Sequence, residues 1–528
     1  ICVIICILTG CDFIYHPFFT CYFLLFSGLF YSIYSGKINY MLNSLILTGI
    51  ISAIIFLNLS PTIIYTLQNG VNDKGTSRNQ SDGEIYGLKI VQLLLPVTGH
   101  RLNSLEDFKN KYNSTAPLVT ENDTASLGLI GSIGFLILLR QLLYGNTNNH
   151  LIKHLSFLNI SAVLLGTIGG FGSLFNYLIF PKIRSYNRIS VYIAFFSLFA
   201  IAILLSEFYK KYITSMGKKI GFYIFITFIF VTGILDQTNL GFIPDYNGTK
   251  SEYMNDEQFI NKIEHSVSKN AMIFQLPYVP YPEWPAINKM KEYSHFRGYI
   301  HSKNLRWSYG AVKGREGDLW QQAISEKPVN EFLDILVCAG FRGIYIDRYG
   351  YSNTGIETKL SSLLGTKPLI SDNNRLVFFN IEEYSNKLKE TYSEQEWNMK
   401  EYEALHPLLL SWKKGFSYFE SDSIMNWRWC ASEGELYITS TSQSSKKITL
   451  EMTVGTGYEE FSYIKLESDL FTDKIQVNSA GTGYSKKITV TPGKHIIKFS
   501  CNAKRVEAPE DSRFLIFRVI NFNVIQQE

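Results

Sequence analysis

Ile189-Ser190-Val191-Tyr192-Ile193-Ala194-Phe195-Phe196-Ser197-Leu198-Phe199-Ala200-Ile201-Ala202-Ile203-Leu204-Leu205-Ser206 runs without a single charge until Glu207. A helix needs about 20 apolar residues to cross roughly 30 Å of hydrocarbon, so 189–207 reads as a membrane span. Similar runs lie at about 18–35, 41–59, 126–143, 155–179 and 220–238. One such run could be a buried core helix; six in succession define a polytopic membrane domain. The opening residues Ile1 to Thr9 read as the tail of one more helix, for about seven in all, and predict that the chain is a fragment of a longer one.

The rest of the composition agrees. The 528 residues are 46% hydrophobic, 15% aromatic and only 18% charged, where soluble domains carry about a quarter charged residues. Residues 1–58 hold just Asp12 and Lys37, and residues 124–181 just Arg140 and Lys153, while the second half has ordinary soluble composition. A wholly soluble enzyme, a disordered chain and a small disulfide framework are excluded. A net charge of +4 gives no reason to expect nucleic acid.

Loop charges set an expected orientation. Lys37, Arg140, Lys153, Lys210, Lys211, Lys218 and Lys219 fall on one side, against Lys182, Arg184 and Arg188 on the other. Positive charge marks the cytoplasmic side, so the loop at 60–125 and everything after about 239 should face outward. In that loop, Glu84 to Leu95 suits a short helix lying at the interface.

Three regions follow from the patterning: a membrane domain over 1–239, an outward α/β domain over 240–385, and, after a linker at 386–405, an outward β-sandwich of jelly-roll type over 406–528. The α/β reading rests on apolar strands at 271–276, 343–346 and 376–379 with helices at about 317–326, 329–339 and 356–364. The sandwich reading rests on short alternating runs at 434–439, 447–452, 487–490, 495–499 and 514–519. Cys2, Cys6, Cys11 and Cys21 read as packing residues and Cys338 as a buried helix residue. Cys430 and Cys501 lie on strand-like segments where an outward environment permits a disulfide, and free thiols are the alternative.

No nucleotide loop, metal-type Cys or His pairing, His-Glu-x-x-His or serine elbow is present. The glycine-rich run from Gly166 to Gly172 lies within an apolar stretch and reads as a close helix contact. No cofactor is expected, and a divalent metal is left open.

Polar residues at the outward boundary are the stronger signal. Glu121-Asn122-Asp123-Thr124 precedes the run at 126. Asp123 or Thr124 could cap that helix, whereas Glu121 is not needed for a cap and is a candidate general base, with Asp123 the second candidate catalytic carboxylate. His100 and Arg101 follow the interfacial segment, and Arg184, Asn187 and Arg188 lie between two spans on the same side. Paired guanidinium groups suit a phosphate; generic contact with lipid headgroups is the alternative. Further on, His295, Arg297, His301, Arg306, Trp307 and Tyr309 combine aromatic faces with hydrogen-bonding groups and could contact a sugar, or could form a structured loop.

The motifs Glu84-Ile85-Tyr86-Gly87-Leu88-Lys89, Leu95-Pro96-Val97-Thr98-Gly99-His100-Arg101, Glu121-Asn122-Asp123-Thr124-Ala125-Ser126-Leu127-Gly128 and Arg184-Ser185-Tyr186-Asn187-Arg188 resemble bacterial multispanning glycosyltransferases of the GT-C type, sometimes called sugar translocases. The resemblance continues into Phe296-Arg297-Gly298-Tyr299 and Arg306-Trp307-Ser308-Tyr309-Gly310. It implies a polyprenyl-phosphate-linked sugar donor, a glycan, glycolipid or protein acceptor, surrounding membrane lipids, and a bacterial plasma membrane location with the C-terminal domains outside. It also implies a carboxylate base, which the GT-C pattern places in the first outward loop; Asp12 is not equated with it.

Overall fold

The computed structural model describes the chain except residues 73, 76–77, 146–148, 418–419, 422–424, 509–510, 512 and 527–528. It divides into two compact units, one of residues 1–71 and 77–246, the other of residues 72–76 and 247–528.

The first unit is helical: α1 (Cys2–Gly10), α2 (Tyr15–Ser35), α3 (Asn39–Asn69), α4 (Asp82–Ile85), α5 (Ile90–Leu94), α6 (Asn103–Thr115), α7 (Gly128–Tyr144), α8 (His150–Gly166), α9 (Phe171–Leu178), α10 (Ser190–Tyr212) and α11 (Met216–Gln237). Among the described residues, four helical stretches are long and apolar enough to cross a membrane: Tyr15–Ser35, Asn39–Asn69, Tyr186–Tyr212 and Met216–Gln237. Gly128–Tyr144 and His150–Gly166 are shorter apolar helices.

The sequence reading expected about seven spans, where four helical stretches reach spanning length among the described residues; three local outcomes differ as well. First, α3 continues past Ser60 through Pro61 instead of giving way to a loop. Proline removes the N–H that would bond the Leu57 carbonyl, and the Ser60 hydroxyl donates to that carbonyl at 2.7 Å instead. Second, the expected interfacial helix is two short pieces, α4 and α5, with Leu88 extended between them. Third, the apolar run at 155–179 is not one helix: it breaks between α8 and α9, where Gly169 takes φ +73°. The break and the extended segment complete each other. Leu88 N–H donates to Gly166 O at 2.7 Å and Ile168 N–H to Leu88 O at 3.1 Å, and Gly169 N–H donates to the Glu84 carboxylate at 2.8 Å. Backbone freed inside an apolar run must find such partners. The glycine-rich run is therefore a built discontinuity as well as a close contact.

The second unit opens with α12 (Tyr246–Ser266) and contains a mixed sheet of β1 (Met272–Leu276), β2 (Arg306–Trp307), β3 (Phe341–Asp347), β4 (Leu369–Ile370) and β5 (Leu376–Asn380), in the order β2-β1-β3-β5-β4. Its helices are α13 (Phe296–His301), α14 (Glu316–Ser325), α15 (Val329–Cys338), α16 (Gly355–Leu364), α17 (Glu382–Glu390) and α18 (Glu394–Leu405). Strand alternation sends Phe274, Ile344, Ile346, Val377 and Phe379 to one face, against α14, α15 and α16. Ile273, Tyr345, Leu376 and Phe378 face the other way, against Phe259, Ile260 and Ile263 of α12.

Among the described residues ten further strands follow: β6 (Leu408–Lys413), β7 (Glu420–Ser421), β8 (Asn426–Cys430), β9 (Glu433–Ser440), β10 (Lys446–Thr456), β11 (Ser462–Glu467), β12 (Thr472–Val477), β13 (Thr482–Val490), β14 (Gly493–Cys501) and β15 (Phe517–Gln526). They make two antiparallel sheets, β13-β10-β15-β8-β7 and β12-β11-β14-β9-β6, whose inward residues share one core including Leu450, Val454, Leu466 and Phe499. Cys430 and Cys501 belong to this core from opposite sheets. Both are free thiols, so the disulfide considered from sequence is absent.

Candidate functional site

Residues from four separated segments meet at one end of the helical unit. The 3-10 turn Glu121–Thr124 and the 3-10 turn Tyr186–Ile189 lie beside the segment at 84–88 and the start of α2. Asn122 fixes the first turn from within: it is buried, and its amide donates to the carbonyls of Gly87 at 3.1 Å and Leu118 at 3.0 Å.

Glu121 projects from this frame. Its Oε2 lies 3.5 Å from an Arg188 nitrogen and accepts the Ser185 hydroxyl at 3.4 Å; Oε1 has no partner among the described residues. The two charged side chains are 40% and 42% exposed, so their pairing contributes only about 0–1 kcal/mol to stability. The arrangement leaves a carboxylate oxygen and most guanidinium donors available to a ligand.

Aromatic rings set the cations. The Arg188 guanidinium stands 4.7 Å from the Tyr15 ring and 5.6 Å from Phe13, and Arg184 stands 4.7 Å from Tyr86. Stacking of this kind holds a guanidinium in place while its edge donors stay free. The Arg184 side chain makes no ion pair or hydrogen bond among the described residues, while its backbone carbonyl accepts the Tyr186 N–H at 3.0 Å. Asn187 is buried; its backbone N–H donates to Tyr86 O at 3.4 Å, while its side-chain oxygen has no partner among the described residues. Glu121, Arg184, Asn187 and Arg188 are thus brought together, as their spacing alone could not show. The framing roles of Phe13, Tyr15 and Tyr86 and the Ser185 hydroxyl were missed.

The remaining candidates of this unit are used differently. Asp123 turns away from Glu121: its carboxylate accepts Thr98 at 3.5 Å, and its backbone carbonyl accepts the buried Lys109 ammonium at 2.8 Å. Burial pushes the Lys109 pKa down, while Asp123 nearby opposes that shift. The cap expected from Asp123 or Thr124 comes from elsewhere, because α7 begins only at Gly128. Gly128 N–H goes to Ser126 Oγ at 3.3 Å and Leu129 N–H to Asp236 at 2.7 Å. His100 is buried and lies 3.4 Å from Asp236. Arg101 donates to the Thr238 carbonyl at 2.9 Å and to its hydroxyl at 3.3 Å. His100 and Arg101 therefore pin the outgoing chain after α11 and make no contact with Arg184 or Arg188 among the described residues. A groove of about 580 Å³ between α7, α10 and α11 is lined by Leu129, Ile133, Leu204, Phe208 and Phe228, among other apolar side chains.

In the second unit most of the suggested sugar contacts are occupied internally. His295 is buried; its Nε2 donates to Pro277 O at 2.8 Å, and desolvation lowers its pKa to about 4. Arg297 bridges Asp256 and Glu252. Trp307 donates to Ser302 Oγ at 2.7 Å, and Tyr309 packs among Tyr281 and Phe296. His301 packs edge-on against Tyr253, with ring centroids 4.4 Å apart, and of the six only Arg306, on β2, is left exposed without such a contact among the described residues. These contacts favour the structured-loop alternative. A buried Asp347–Arg375 pair at 2.7 Å, which sequence reasoning did not single out, anchors the same region. Among the described residues no three His, Cys, Asp or Glu side chains group as a metal site.

No protein-family model matches the chain, and no curated protein matches it. Solved structures do match small parts. The carbohydrate-binding module Xyl-CBM35, in complex with a glucuronic acid-containing disaccharide, is 12% identical with TM-score 0.15, covering 23% of this chain and 97% of its own. The N-terminal cellulose-binding domain of Cellulomonas fimi β-1,4-glucanase C is 5% identical with TM-score 0.17, covering 22% and 89%. An exo-β-1,3-galactanase from Phanerochaete chrysosporium is 10% identical with TM-score 0.16, covering 22% and 27%. Likeness of this extent carries no functional argument, which rests on the side chains described above.

Proposed function

We propose that the chain is a membrane glycosyltransferase of the GT-C type, moving a sugar from a polyprenyl-phosphate-linked donor to a glycan, glycolipid or protein acceptor on the outer face of a bacterial plasma membrane. The observation that carries this reading is the exposed Glu121 carboxylate beside Arg188, with the ring-seated Arg184 close by, at the end of an apolar helical unit. In this reading Arg184 and Arg188 hold the donor phosphate, whose charge is already present when it leaves. Glu121 accepts the proton of the acceptor hydroxyl as that oxygen attacks the anomeric carbon. The new C–O bond forms, the bond from sugar to phosphate breaks, and polyprenyl phosphate departs. The apolar groove between α7, α10 and α11 offers lodging for an isoprenoid chain.

The test is transfer of radiolabel from polyprenyl-phosphate sugars to a crude envelope acceptor fraction by the protein in lipid. Wild type should transfer. Glu121→Gln and Arg184→Ala should lose transfer while keeping their folded elution and helical signal. Movement of labelled lipid between leaflets with no new glycosidic bond would replace this reading with a flippase for lipid-linked sugars. Glycan binding that survives both substitutions, with neither transfer nor lipid movement, would make it a non-catalytic envelope assembly protein.

A further inference from the structure

Within the second unit, a cleft of about 780 Å³ opens between helices α14, α15 and α18 and strands β6, β8 and β15. That volume lies in the range of about 300–1,000 Å³ typical of ligand pockets. We infer that this cleft is an oligosaccharide-binding site, made jointly by the helices over the mixed sheet and by the sandwich.

Its chemistry alternates in the way a sugar requires. Trp412 and Trp427 line it with aromatic surface for the C–H faces of pyranosides, and Glu403, Lys400 and Asn523 supply acceptors and donors for hydroxyls. Trp412 is held rigidly, its ring centroid 4.6 Å from Phe416 and 4.9 Å from Phe522. Lys400 is placed by the Tyr392 ring, 4.6 Å from its centroid. Acidic and basic groups on the walls nearly balance. A strong polyanion is therefore disfavoured, and so is an alkyl chain, which would leave those charges desolvated. The sandwich wall is shaped for the task. The pairing of β15 with β10 slips between Glu451 and Thr453, with Asn521 at φ +48°. This bulge lies beside Phe522 and Asn523, two residues of the lining, and bulges commonly re-aim side chains at binding sites.

The site needs no donor lipid and no residue of the helical unit, so binding can be measured independently of transfer. Full-length protein in lipid nanodiscs is titrated with gluco-, manno-, galacto- and galacturono-tetrasaccharides, followed by calorimetry and tryptophan fluorescence. At least one should bind saturably at millimolar concentration or below. Trp427→Ala and, on the opposite side of the strand pairing, Asn523→Ala should each weaken it at least tenfold, with unchanged thermal unfolding as the control for folding. Failure of all four sugars to saturate overturns the inference, and so does binding that both variants leave intact. Saturable binding without transfer from any donor would retain this site and remove only the transferase reading.

Discussion

The Asp236 carboxylate accepts the Leu129 backbone amide at 2.7 Å, so a residue at the end of α11 closes the start of α7, 107 positions earlier in the chain. The same carboxylate faces His100. Three segments therefore meet on one side chain that carries no motif of its own. Asp236→Ala is expected to cost about 1 kcal/mol, the usual worth of a helix cap, and to lower the thermal midpoint in detergent. Asp123→Ala and Thr124→Ala, the caps suggested by sequence, should leave that midpoint within error.

At the Glu121 site, activity and stability should separate. The Glu121–Arg188 pair is half exposed and structurally weak, so Glu121→Gln and Arg188→Ala should change stability by less than about 1 kcal/mol. Under the transferase reading each should reduce label transfer by about 100-fold or more, as loss of a catalytic base does. Thermal unfolding and transfer measured on the same preparations decide this; parallel losses would mean that the pair is architectural.

The two adjacent glycines at the helix break should respond unequally. Gly169 needs its positive φ but has open space around it, so Gly169→Ala should cost about 1–2 kcal/mol in backbone strain. Gly170 has an ordinary φ, yet an added Cβ would lie 2.3 Å from Leu164 O, a backbone atom that cannot swing aside. Gly170→Ala should cost about 3 kcal/mol, seen as a lower folded yield and a lower unfolding midpoint.

His295 should make the second unit sensitive to acid. Burial holds it neutral down to about pH 4, against an ordinary value of 6.5. Between those values the unfolded chain binds a proton that the folded chain refuses. Its contribution is therefore full above about pH 6.5 and is lost as pH falls toward 4, by an amount on the order of 3 kcal/mol. Chemical denaturation followed across that interval should show the slope, and His295→Gln, which keeps a donor for Pro277 O, should flatten it.

Much of the architecture was legible because it depends on periodicity. β1, β3 and β5 lie where apolar runs placed them, α14, α15 and α16 where helical spacing did, and β9, β10 and β14 where alternation did. What escaped depends on distant partners. α6 is polar along most of its length and gives no strong apolar stripe. The break at Thr167 to Gly170 sits in a run that hydropathy reads as continuous. β11 and β12 pair through alternation mixed with lysines and acids, which weakens the signal. At the candidate site the residue types pointed to Glu121, Arg184 and Arg188. Their seating on Tyr86 and Tyr15 and the diversion of His100 and Arg101 required the fold. Cys430 and Cys501 could be placed on strands, whereas their position on opposite sheets as free thiols could not.

The hydrogen bonds from Leu88 and Glu84 to the Thr167 region carry an implication for biogenesis. During synthesis, α8 and α9 emerge some eighty residues after the segment that satisfies their broken backbone. That earlier loop must already be delivered to the same side of the bilayer before the pair can settle. Deletion of residues 82–90 should therefore leave the later hydrophobic hairpin incompletely integrated, so that a distal glycosylation or protease-accessibility tag reports mixed orientations where the intact chain reports one.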